Sequence, residues 1–193
     1  MNSAFVAGQV RDRLQPIYDT YTLAANTAAP TTITFFGNTA GAVGIQRTNM
    51  TEAFRLSNGI TIKVLAMRFA AIGVSRPDLE SLLKNYAAKL IVAQKEFLVG
   101  PIEFFPGGAG ISGVTAASTT ATTTTIQDFA YNIGAPDPRA IFGLGQYPIE
   151  IPFGTSFRVE LQGTSFTTSN TAPYNLGLFL RCYLDSLITE IPQ

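Results

Sequence analysis

The residues that could do chemistry in this chain are carboxylates and almost nothing else. There is no histidine and no tryptophan, and the single cysteine, Cys182, stands in an apolar segment. Without histidine there is no imidazole base near neutral pH, no Ser-His-Asp or Cys-His nucleophile, and no His-ligated zinc. One cysteine forms no intrachain disulfide and falls short of the four thiolates of a usual iron–sulfur cluster. Glu103, Asp128, Glu150 and Glu160 lie on predicted strands, and a glycoside hydrolase would need two such groups flanking one bond. Nothing in their spacing brings two together. Asp185 has no Asp/Asn neighbours at calcium-ligand spacing. Gly107-Gly108-Ala109-Gly110 with Gly113 has the composition of a phosphate loop, but Ile111-Ser112 follows where Gly-Lys-Ser/Thr is needed. Ile141–Gly145 lacks the third glycine and the following helix of a dinucleotide fingerprint. The expectation is a protein that is no enzyme, with no metal, no cofactor and no small-molecule substrate, acting through its surfaces.

Composition points the same way. Charged residues make up 13%, about half the usual share of a soluble domain. Hydrophobic residues make up 46% and mean hydropathy is +0.21. Such a surface suits burial against copies of the same chain. Lys and Arg balance Asp and Glu at 13 each, so the basic stripe of a nucleic-acid binder is missing and no direct nucleic-acid contact is expected. Lys63, Arg68, Lys89 and Lys95 interrupt the apolar runs before any reaches the roughly 20 residues of a membrane span. Met1–Gly8 has neither the charged start nor the apolar run of a secretory signal. A lone thiol is compatible with a reducing cytoplasm.

The elements that would carry these residues are mostly strands. Residues 1–20 are the exception: Val6, Val10, Leu14 and Ile17 recur at helical spacing until Pro16. This predicts a short amphipathic arm, with Phe5, Val6, Val10 and Leu14 contacting a neighbouring subunit or a membrane. From residue 21 to 193 a single β-sandwich domain is expected. Tyr21–Ala24 and Thr31–Phe36 are β-prone. Asn58-Gly59 has hairpin chemistry and would join Phe54–Leu56 to a long strand, Ile60–Ile72. That strand is apolar on both faces in its middle, with Ile60, Ile62, Val64 and Ala66 opposite Leu65, Met67 and Phe69, which calls for a second cover. A helix over about 76–89, started by Ser75 and Pro77, would supply it. Leu90–Val99, Ile102–Phe105, about Thr119–Tyr131, Tyr147–Ile151, Ser156–Leu161 and Tyr174–Leu184 complete the strands, with Gly107 onward read as a surface loop. Arg47-Thr48-Asn49-Met50 would pin its own turn or bridge to a neighbour. Eight or so strands at this spacing predict an all-β jelly-roll or similar sandwich.

This arrangement resembles the single jelly-roll coat proteins of tailless icosahedral bacteriophages, whose capsids often enclose a membrane. The arm Phe5–Leu14, the strands Thr31–Phe36 and Ile60–Ile72, the insertion Pro77–Ala88 and the closing pair Ile149–Leu161 and Tyr174–Leu184 carry the likeness. It implies a capsid subunit of the virion, made in the host cytoplasm, whose partners are copies of itself, other capsid proteins and an internal membrane surface. The basic arm of coat proteins that touch their genome is missing. The alternative is a carbohydrate- or receptor-binding sandwich of an attachment protein.

Overall fold

The computed structural model describes residues 11–72, 74–105, 112–120, 123–131, 144, 147–168 and 177–190. In chain order the elements are β1 (Arg11–Leu23), β2 (Thr32–Phe35), α1 (Ala40–Val43), β3 (Ile60–Ile72), α2 (Arg76–Asn85), β4 (Tyr86–Val92) and β5 (Lys95–Pro101). A 3-10 turn at Ile102–Phe104 is followed by β6 (Ser112–Thr120), β7 (Thr123–Tyr131), β8 (Ile149–Ile151), β9 (Phe157–Gly163) and β10 (Leu178–Glu190). The chain is all-β in class. Two antiparallel four-stranded sheets form the body, in the orders β1-β10-β3-β8 and β2-β9-β4-β5, and β6 pairs with β7 in a ribbon of its own.

The core lies between the two body sheets because each strand turns every second residue inward. On β10 the alternation runs unbroken, with Leu178, Leu180, Cys182, Leu184, Ser186 and Ile188 buried. Ile33 and Phe35 of β2 and Val159 and Leu161 of β9 oppose them from the second sheet, all without exposure. Phe35 meets Phe69 of β3 across the interior at 5.9 Å, an aromatic pairing that adds to burial.

The two-faced middle of β3 has a simpler cause than a covering helix. Ser186 pairs with Val64 and Asp185 with Ala66, so Leu65 is an extra residue, a β-bulge. Before it Ile62 and Val64 point inward; after it Met67, Phe69 and Ala71 do. The bulge resets the phase, and the backbone N–H of Leu144 donates to the carbonyl of Leu65 at 2.6 Å. The helix is α2, and it ends at Asn85, short of the expected residue 89. Ser75 caps it by accepting from the Asp78 N–H at 3.2 Å, with Pro at its first positions. It buries Leu82, while Tyr86 already opens β4 and donates its hydroxyl to the Pro30 carbonyl at 2.7 Å.

Several expected boundaries move. Residues 11–20, read as part of an arm, belong to β1, which is paired with β10 from Arg11 to Leu23. Pro16 is accommodated because β1 is an edge strand, where a missing N–H costs no ladder bond. The alternation that would have marked the strand is masked by Asp19, a polar residue turned inward. The expected strand Leu90–Val99 is a hairpin turning at Ala93-Gln94, and Ile102–Phe104 is a 3-10 turn. Phe54–Leu56 forms no strand; Glu52 and Arg55 make an isolated bridge, so Asn58-Gly59 turns the chain into β3 without a hairpin partner. Residues 112–118, read as loop, are strand, as β-branched and small residues allow.

Candidate functional site

The outward face of the β1-β10-β3 layer collects the side chains that suit a contact surface. Because paired residues share a face, the register places Tyr18, Tyr183 and Arg68 in one row, Thr20, Arg181 and Ala70 in the next, and Thr22, Phe179 and Ile72 beyond. In the other direction come Pro16, Asp185 and Ala66, then Leu14, Leu187 and Lys63. The Tyr18 and Tyr183 rings lie 6.1 Å apart. Arg68 stacks over Tyr183 at 4.2 Å and grips Asp185 with two bonds, of 2.8 and 3.1 Å. Arg181 lies 5.6 Å from the Tyr18 ring and donates to Thr20 Oγ1 and the Gln46 carbonyl. Arg47 covers Phe179 at 4.6 Å. Guanidinium stacking on aromatic rings holds these long side chains in place.

Leu14 sits on this face and is 76% exposed. Phe5, Val6 and Val10, the other arm residues expected to make contacts, lie outside the described residues. The segment Arg47-Thr48-Asn49-Met50 pins its own fold. Asn49 accepts from the Tyr18 N–H and donates to the Pro16 carbonyl, both at 2.9 Å, while Thr48 donates to the Tyr18 carbonyl. The free edge of β1 is thereby occupied across Pro16–Thr20.

Glu150 and Glu160, the candidates on the body strands, lie on different sheets. Glu150 faces outward opposite Lys63 on the first sheet, whereas Glu160 faces outward on the second. Glu160 is held by Arg158 at 2.5 Å, Gln162 at 3.1 Å and Lys89 at 3.6 Å. Burial alone would raise its pKa, but the Arg158 bond and charge, helped by Lys89, hold it below the ordinary carboxylate value. Lys89 also donates to Glu96 at 2.7 Å, the main reason its ammonium is held above the usual range. Glu103 is exposed in the 3-10 turn, and Asp128 lies on β7 opposite Thr115.

Among the described residues two carboxylates are buried, Asp78 at the start of α2 and Asp19, which has no exposure between the sheets. Asp19 accepts from the Thr20 N–H at 2.9 Å, the Phe36 N–H at 2.6 Å and the Asn38 amide at 3.2 Å. Desolvation pushes its pKa up against the pull of those donors. These bonds tie the first sheet to the end of β2, where Phe36 turns with a φ of 71°. Cys182, its register partner, is fully buried and its thiol is pushed well up by desolvation. That makes it a packed apolar side chain and a poor nucleophile. Among the described residues no group of three or more metal-ligating side chains forms, and no helix is long and apolar enough to cross a membrane.

Comparison with known proteins gave no match among family models, curated proteins or solved structures.

The aromatic–arginine face was half legible. Once Leu178, Leu180, Cys182 and Leu184 are placed inward, Phe179, Arg181, Tyr183 and Asp185 must face outward together. Their partners on β1 and β3 are more than 100 positions away, and only the register assembles them.

Proposed function

We propose that this chain is a capsid subunit built on a single jelly roll, which assembles with copies of itself into a closed shell. The nesting of its strand pairs carries the reading: β1 with β10, β2 with β9, β3 with β8 and β4 with β5. Among the eight body strands, with the β6–β7 ribbon set aside, first pairs with last inward, and the doubled ribbon is wrapped into two sheets. This nesting supports a double Greek key, an architecture of viral coat proteins and also of lectins and cupins. A low-charge surface favours the coat reading over the other two. So does a face rich in Tyr, Phe and Arg, the residues that dominate protein interfaces. Fold alone does not assign a function; the face and the composition are what select among the hosts of this architecture.

Under this reading the partners are other copies and other capsid proteins, and the N-terminal residues Phe5, Val6 and Val10 contact a neighbour or the membrane surface beneath the shell. Negative-stain imaging of the purified full chain tests it. Closed shells of uniform diameter are expected. Dispersed single subunits across a wide range of protein and salt concentration would contradict it.

A further inference from the structure

We infer that the β6–β7 ribbon is a self-pairing device: the free edge of β6 joins the β6 of a second copy, antiparallel about a two-fold axis. The inference deepens the capsid reading, since it names one contact by which copies meet. It begins from the way the body strands treat their edges. The edge of β1 is occupied by Thr48 and Asn49. On β5 an extra residue, Leu98, has a φ of 43° and breaks the register, with Lys95 and Pro101 at the two ends. The remaining edge strands, β2 and β8, have four and three residues. Bulges, lysine, proline and shortness are the usual means of preventing strand addition.

The ribbon has none of these. Its nine pairs run without a register shift from Ser112–Tyr131 to Thr120–Thr123. Neither strand contains proline, β6 contains no charged residue, and Asp128 is the single charge on β7. Among the described residues it pairs with no third strand, and a two-stranded ribbon is marginal by itself in water. Among the described residues β7 is the ribbon strand that lies near α2, and β6 has no partner on its second edge. Thr120 and Thr123 close the ladder two residues apart, which makes them a mutually hydrogen-bonded pair. Counting back, Gly113, Thr115, Ala117 and Thr119 turn their N–H and C=O groups away from β7. An uncharged edge meets its own copy without repulsion, and two identical strands run antiparallel satisfy a closed two-fold. Among the described edge strands the others carry a strap, a bulge or shortness, so a second β6 is the complementary strand.

Single cysteines placed at 114 to 118 in turn, as Val114→Cys, Thr115→Cys, Ala116→Cys, Ala117→Cys and Ser118→Cys, test this in the full chain, because Cys182 is buried. Only the residue on a two-fold axis faces itself at roughly 4.5–5.5 Å between Cα atoms, within disulfide reach. Mild oxidation should therefore give a linked dimer sharply at one position and fall off at its neighbours. Adding Gly113→Pro and Thr119→Pro removes two outward N–H groups and leaves the β6–β7 ladder intact. It should reduce that dimer at least about 10-fold, in line with loss of more than 1.4 kcal/mol, with the subunit's melting temperature unchanged. Equal or absent cross-linking across all five positions overturns the inference, as does a dimer that survives both prolines. Shells without the cross-link would overturn the ribbon contact alone. A cross-linked dimer that never forms shells would uphold the ribbon and overturn the capsid reading.

Discussion

Asp19 shows how one residue can tie two sheets and still oppose them. Removing its carboxylate leaves the Phe36 and Thr20 N–H groups buried without acceptors, at about 1–3 kcal/mol each. Asp19→Ala should thus cost roughly 2–5 kcal/mol in urea unfolding, and unchanged stability would refute the tie. Its pH signature has a definite sign. A carboxyl raised above its ordinary 3.8 by desolvation contributes stability that is full below that value and is lost as pH rises through the folded pKa. The deficit of Asp19→Asn relative to the parent should then be larger below pH 3.8 than at neutrality. Glu160, held low by Arg158 and Lys89, works in the opposite direction. Its contribution is present above the ordinary carboxylate range and is lost as pH falls through its lowered value. A deficit for Asp19→Asn that grows toward neutral pH would contradict the burial account.

At the scale of elements, the bulge in β3 and the strap along β1 make separate claims. With Leu65 the extra residue and Met67 inward and fully buried, Met67→Ala should cost about 2–5 kcal/mol. Leu65→Ala should cost under about 1.5 kcal/mol; equal costs would return both residues to one face. Asn49→Ala removes two hydrogen bonds to the β1 edge and should cost about 1–2 kcal/mol. It should also speed amide exchange at Tyr18, whose N–H would lose its acceptor. These elements show where the sequence was readable. Strands with clean period-two patterns, such as β9 and β10, were visible because burial alone dictates them. The helix start was visible because Ser75 and Pro77 are local signals. The β1 strand was hidden by an inward Asp19, the β3 bulge by two overlapping phases, and the ribbon by its Thr/Ala/Ser composition. For β1 and the bulge the deciding partner is distant in sequence, as Asp19 is from Cys182 and Leu65 is from the β10 register, whereas the ribbon pairs with its immediate neighbour and was hidden by composition alone.

For the whole molecule, strand nesting, an aromatic–arginine face and low charge support the proposal of a subunit covered by its own copies. Arg11, the first described residue, is already paired with Glu190, and the proposal gives residues 1–10 a role outside their own subunit. Removing residues 1–10 should leave the melting temperature of the isolated subunit within about 2 °C while weakening assembly. Removing residues 1–20 takes most of β1 from its sheet and should unfold the chain; a stable product would show that β1 is dispensable. The most direct test of the central claim is the mass of the purified full-length protein by sedimentation velocity over a wide concentration range. The account predicts a uniform, closed assembly of many 20.7 kDa chains, with a two-fold dimer as the species that remains on dilution. A single 20.7 kDa species at every concentration would contradict it.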